Sequence, residues 1–153
     1  MGDTYNAINH VLVELINRIW ELEGNAIITE EFRDITNNDM HVIEAIGLDG
    51  SKNMSAVAKQ LNITVSSLTT AMNSLVRKEY VTRSRSTSDR RVVEISLTEK
   101  GKQAYLHHED YHRQMIEAAI EGMTPEEIPV LVKLLENLRE FFETYSHGVK
   151  NHS

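Results

Sequence analysis

Apolar residues recur with helical spacing at both ends of this chain, and change to a strand-like alternation near its middle. From the N-terminus, Tyr5, Ile8, Leu12, Leu15, Ile19 and Leu22 fall at intervals of 3, 4, 3, 4 and 3, which predicts a helix over roughly Thr4 to Glu23. Val11, Ile16 and Trp20 widen the stripe beyond what one neighbour covers, so part of it is expected to pack on another chain. A polar connection from Glu30 to Asp34 follows. Thr36 and Asp39 then have the spacing of a capping box, opening a second helix through Met40, Ile43, Ile46 and Leu48 that Gly47 to Gly50 stops.

The next segments form a helix, a tight turn and a helix. Met54, Val57, Ala58 and Leu61 make the first one-sided, Asn62 breaks it, and Thr64 caps its successor. In that successor Val65, Leu68, Met72 and Leu75 are expected on one face, with Ser66, Ser67, Thr70, Asn73 and Ser74 on the other. Tyr80 to Arg85 and Arg91 to Leu97 alternate as strands around a turn at Ser86 to Asp89, which predicts a hairpin. Thr98 caps a long fifth helix that Gly122 ends. Thr124, Pro125, Glu126 and Glu127 supply a cap, a first-position proline and first-turn acids for a final helix. Its stripe, Ile128, Leu131, Leu135, Leu138, Phe142 and Tyr145, repeats the 3, 4, 3, 4, 3 spacing of the first helix, a coiled-coil-like seam suited to pairing across a two-fold axis.

Composition narrows the class. A chain of 153 residues suits one domain, 1–153, that completes its core in a homodimer. It has no cysteine, which excludes disulfides and thiolate metal sites and fits a cytoplasmic protein. No signal peptide or membrane span is visible. With no cysteine nucleophile, glycine-rich phosphate loop or evident carboxylate pair, an enzyme is not expected. The net charge is −7, yet residues 52–102 hold ten Lys or Arg against four acids. That window is therefore +6 and the remainder −13. A basic face on an acidic body is the footprint of a one-sided nucleic-acid contact.

With Asp89-Arg90-Arg91 at the hairpin and Leu97-Thr98-Glu99-Lys100-Gly101 closing it, nearly the whole chain resembles the MarR family of dimeric winged-helix transcription regulators. Glu31-Phe32-Arg33-Asp34-Ile35, Asp39-Met40-His41 and Gly122-Met123-Thr124-Pro125-Glu126-Glu127 are most similar to the branch that represses fatty-acid biosynthesis genes. The resemblance implies a mainly α fold with a small β-hairpin wing. Residues 36–98 would form the winged helix-turn-helix, and 4–23 with 99–146 the dimerisation helices. It also implies repression of lipid genes with long-chain acyl carrier protein as co-repressor.

The family places the helix from Val65 to Arg77 in the major groove, so Thr64, Ser66, Ser67, Thr69, Thr70 and Asn73 are expected at the bases. Hydroxyls there bond either base type, a threonine methyl can meet thymine, and Asn73 suits adenine. Lacking Arg or Lys in its first turns, that helix predicts an A·T-rich pseudo-palindrome read partly through groove shape. At the wing, the resemblance implies that Asp89 orients Arg91 into the minor groove, with Arg83, Arg85 and Arg90 as further DNA contacts. An exposed Asp89–Arg91 ion pair of little energetic worth is the bland alternative. A winged helix can also serve as a protein-interaction module, but that use would favour an apolar outer face on the helix and no wing arginines.

No cofactor is expected. His108 and His112 share a helix face at i, i+4, and with His41 and Glu23 or Glu21 they form the alternative, a zinc-responsive MarR-type repressor; partly buried interface histidines are preferred. An acyl chain would be expected in a slot between the first, second and fifth helices, near Trp20, Met40, Ile43, Met115 and Ile116.

Overall fold

The elements follow the order α1 (Gly2–Ile27), α2 (Asn37–Ile46), β1 (Lys52–Asn53), α3 (Met54–Gln60), α4 (Val65–Arg77), β2 (Val81–Arg85), β3 (Val93–Leu97), α5 (Glu99–Ile120) and α6 (Ile128–Lys150). They are seen in a computed structural model that describes residues 1–27, 29 and 31–150, with side chains described over 1–22, 29 and 31–145. The chain divides into two units, Met1–His112 and Arg113–Ser153. Glu30, placed by the sequence in the α1–α2 connection, lies outside the described residues.

In the first unit, local chemistry sets the helix boundaries. Thr36 Oγ1 accepts from Asp39 N at 3.1 Å while Asp39 Oδ2 accepts from Thr36 N at 3.0 Å, the predicted capping box. Gly47 ends α2 at φ +69°, a conformation open to glycine. Asn53 caps α3, and Asn62 turns the chain at φ +55° before Thr64 caps α4. The core joins α2, α3, α4 and the sheet through Ile43, Ile46, Val57, Leu68, Met72, Leu75, Tyr80 and Ile95.

The sheet has three antiparallel strands in the order β1-β3-β2, with Val81 opposite Leu97, Arg85 opposite Val93, and Lys52 opposite Ile95. Only the hairpin was expected from the sequence. A two-residue polar strand carries no alternation, and β1 exists because β3 offers it a second edge. Phe32, inside the connection read as polar, and Ile35, just after it, also join the core. Val65 corrects the sequence reading in the other direction. It is 46% exposed, because the first turn of α4 projects past the core that Leu68, Met72 and Leu75 reach.

The corner between α4 and β2 is held from several directions. Lys78, the C-cap of α4, reaches buried Asp39 at 2.8 Å, and Lys100 Nζ donates to the Lys78 carbonyl at 3.1 Å. Tyr80, fully buried, donates its hydroxyl to Asp34 at 2.6 Å and lies under Lys100 Nζ, 4.3 Å from the ring centre. The tyrosine bond, chiefly, holds the Asp34 carboxyl below its ordinary value of 3.8; burial and then the Asp34 bond push the Tyr80 hydroxyl well above 10.0.

A depressed carboxyl contributes stability above its ordinary range that is lost as pH falls through its folded value. A raised phenol contributes below its ordinary range and loses that as pH rises. Tyr80→Phe is therefore expected to flatten the stability profile on both the acid and alkaline sides. Near neutrality it should lower stability by about 1 kcal/mol. Urea melts across pH would check this, and acid and alkaline limbs unchanged from wild type would contradict it.

In the second unit, Gly122 ends α5 at φ +81°. The final helix starts at Ile128, three residues later than the cap reading placed it. Ile128 N meets the Thr124 carbonyl at 3.3 Å, one isolated i to i−4 bond, but Pro129 cannot donate the next one, so continuous bonding begins beyond it, with Leu131 N on the Glu127 carbonyl at 3.1 Å. Thr124 instead anchors a preceding turn, its N–H donating to Glu127 Oε2 at 2.8 Å. The α6 stripe is largely exposed within this chain, as at Leu135, Phe142 and Tyr145, and so is that of α1, as at Tyr5, Val11 and Trp20.

Candidate nucleic-acid interface

The N-terminal half of α4 presents its polar residues outward, but most of the hydroxyls expected at the bases are engaged with the helix itself. Thr64 Oγ1 accepts from Ser67 N at 3.0 Å and meets Ser67 Oγ at 2.9 Å, completing the cap. Thr69 Oγ1 donates to the Val65 carbonyl at 2.8 Å, and Thr70 Oγ1 to the Ser66 carbonyl at 3.4 Å. Ser66 is exposed on the same turn. Asn73 Oδ1 accepts from Arg83 Nη1 at 2.8 Å, so the first residues of the wing orient the amide of the helix.

The wing is a short arginine-bearing hairpin whose tip is ordered by its own side chains. Arg91 donates from its backbone N to Asp89 Oδ1 at 3.0 Å, from Nε to Oδ1 at 3.2 Å, and from Nη2 to Oδ2 at 3.4 Å. The carboxylate thus fixes the guanidinium on a side chain that remains 91% exposed. Those same bonds, the backbone one first, keep the Asp89 carboxyl below 3.8, so the clamp stays ionised through the mildly acid range. Arg85 Nη1 donates to the Arg90 carbonyl at 2.9 Å, and Ser86 N closes the tip on the Val92 carbonyl at 2.9 Å. Three arginines brought to one exposed tip repel one another unless an anion is supplied, and duplex phosphate is such an anion.

The histidines divide. His41 is exposed and meets Glu44 at 3.7 Å. His108 is buried, with Nε2 3.0 Å from Glu44 Oε1 and 2.9 Å from His112 Nε2. Glu44, His108 and His112 bring one ligand atom each within 4.8 Å of one another. Glu44 takes the carboxylate place that the sequence reading gave to Glu23 or Glu21; the Glu23 side chain lies outside the described residues, and Glu21 meets Arg18 at 3.7 Å. Its signal was legible: Glu44 sits one residue from the core position Ile43 on α2, but only the packing of α2 on α5 shows which histidine it meets. Of the residues expected around an acyl chain, Met40 and Ile43 belong to the core, while Trp20, Met115 and Ile116 are exposed.

Comparisons agree with this geometry. The family model described as MarR family matches residues 35–93. The chain is similar to the transcriptional regulator ZitR of Lactococcus lactis, 32% identical over 111 residues that span 71% of this chain and 76% of that protein. It is also similar to an uncharacterized HTH-type transcriptional regulator of Bacillus subtilis, YpoP, at 25% identity over 81% of this chain and 88% of the relative. Among solved structures, Streptococcus pneumoniae FabT in complex with DNA superposes with a TM-score of 0.81 at 39% identity, covering 92% of this chain and 98% of that one. These relatives are regulators rather than enzymes, and no described helix is long and apolar enough to cross a membrane. The chain belongs to the MarR family of winged-helix transcription regulators.

Proposed function

We propose that this protein is a cytoplasmic homodimeric repressor of fatty-acid biosynthesis genes that binds a pseudo-palindromic, A·T-rich operator and takes long-chain acyl carrier protein as co-repressor. The observation that carries this reading is the 39% identity, over nearly the full length of both chains, to FabT, a protein whose structure was solved on DNA. The arginine-tipped wing and the outward face of α4 supply the chemistry such binding needs. Two copies would set their α4 helices about 34 to 36 Å apart, one turn of duplex. The exposed stripes of α1 and α6 are the surfaces suited to join them. Phe142→Asp, which places a charge in the α6 stripe, is expected to shift the sedimenting species from dimer to monomer; an unchanged dimer would contradict this assignment.

The test of the effector is operator affinity with and without long-chain acyl carrier protein, using a duplex selected from a random pool by the full-length chain. Tenfold or tighter binding with the acylated carrier, and no change with the unacylated one, is expected. Equal affinity in both arms would remove the fatty-acid reading and leave the DNA-binding one.

One observation favours the alternative of a zinc-responsive repressor. His108 Nε2 faces both Glu44 and His112 Nε2, and a single ring nitrogen cannot donate its proton well to two partners. A cation at the centre would satisfy all three groups, since ligand atoms around tetrahedral zinc lie about 3.3 Å apart. Buried His108 would be the anchoring ligand, with Glu44 and His112 completing a three-residue set open to a fourth ligand. Elemental analysis after mild chelation, with operator binding in parallel, separates the readings. Stoichiometric zinc required for binding would establish this one, and full operator binding by the zinc-free protein would dismiss it.

A further inference from the structure

Four of the hydroxyls at the N-terminal end of α4 are engaged by the helix itself, and this changes what that face can recognise. Thr64 and Ser67 are occupied by the helix cap, and the Thr69 and Thr70 hydroxyls bond the carbonyls of Val65 and Ser66. A threonine whose oxygen lies on the preceding turn has its γ-methyl as the branch left to face other groups. Beside these methyls stands Val65, the first residue of the helix, 46% exposed. Asn73 has its amide oxygen held by Arg83, so the wing restrains the side chain best suited to a two-point hydrogen bond with adenine. Toward the groove the helix therefore offers the Val65 side chain and the methyls of half-buried Thr69 and exposed Thr70, beside exposed Ser66, at the end of the helix that meets base edges in helix-turn-helix proteins.

We infer that α4 reads its operator chiefly through the 5-methyl groups of thymine, with Val65, Thr69 and Thr70 as the specificity-determining residues. The thymine methyl is the one apolar feature on a major-groove base edge. Burying it against an aliphatic side chain gains affinity, whereas burying it against a hydroxyl that already has a partner adds no hydrogen bond. This also accounts for an A·T-rich preference in a helix without arginine in its first turns. The inference rests on the DNA-binding reading above.

The test uses the full-length protein and a duplex selected by it from a random pool. Each thymine is replaced in turn by deoxyuridine, in both half-sites, which removes the methyl and keeps the base pair and its O4 acceptor. Affinity is expected to fall about threefold or more at one or more positions per half-site, the scale of one buried methyl group. Thr69→Ser and Thr70→Ser keep the back-bonded hydroxyl and lose the methyl; Val65→Ala shortens an exposed side chain. Each variant should lower the thymine-to-deoxyuridine ratio toward one at its own position, while the melting temperature stays as in wild type. Equal affinity for thymine and deoxyuridine at every position, or a ratio that none of the three variants moves, would overturn the inference while leaving DNA binding intact. If the selection enriches no duplex at all, the DNA-reading function falls as well.

Discussion

Raising monovalent salt from about 50 to about 200 mM is expected to weaken operator binding by about a thousandfold or more. The reason is the number of cations the fold gathers on one face. Arg83, Arg85, Arg90 and Arg91 lie on or beside one hairpin, and a dimer presents two such sets. If about 6 to 10 phosphates are neutralised, the released counterions give a steep, nearly linear dependence of log affinity on log salt. Arg91 is already restrained by Asp89, so less side-chain freedom is lost when it binds. Arg90→Ala should weaken all duplexes alike and make the slope shallower by about two for the dimer, one per protomer. Arg91→Ala should instead reduce the preference for the selected duplex over random sequence. Fluorescence anisotropy across a salt series checks both, and a flat salt dependence would be incompatible with this interface.

Gly101→Ala is expected to destabilise the protein by about 3 kcal/mol or more, lowering the melting temperature by about 10 °C. Within a helix, glycine to alanine ordinarily stabilises by up to about 1 kcal/mol, so the sign of the effect is diagnostic. Here the added Cβ would collide with the Tyr80 carbonyl oxygen, with the Tyr80 carbonyl carbon at 3.1 Å and Leu97 Cβ at 3.3 Å. Neither side can easily give way. The Tyr80 carbonyl accepts from Thr98 N at 3.0 Å, and Thr98 Oγ1 both donates to the Glu79 carbonyl at 2.6 Å and caps Gly101 N at 3.0 Å. Relief requires moving α5 away from the α4–β2 corner, which would displace the recognition helix and wing together. Calorimetry on the variant settles it; a melting temperature equal to or above wild type would show that the corner yields.

The two predictions meet at the same place, since the wing that carries the charge is seated on the corner that Gly101 lets α5 approach. The Leu97-Thr98-Glu99-Lys100-Gly101 motif thus has separable physical roles. Leu97 fills the core, Thr98 is cap and clamp, Lys100 covers Tyr80 and bonds the end of α4, and Gly101 permits contact.

Much of this was legible in residue order because it depends on neighbours along the chain. The 3–4 spacing, the Thr36/Asp39 box, the Thr64 cap and the Asp89–Arg91 pair are interactions between residues at most a few positions apart, and local geometry makes them wherever the rest of the fold allows. The late start of α6 was also within reach, because Pro129 alone forbids the earlier register. Tertiary structure decided the features that need distant segments to meet. β1 forms only against β3, Phe32 becomes core only under Tyr80, at 6.4 Å between ring centres, and Glu44 joins His108 and His112 only where α2 packs on α5. Val65 is exposed because the core stops short of the first turn of α4. Periodicity can say which residues share a face, but what covers that face depends on long-range packing, and so does what the protein leaves outward for DNA to meet.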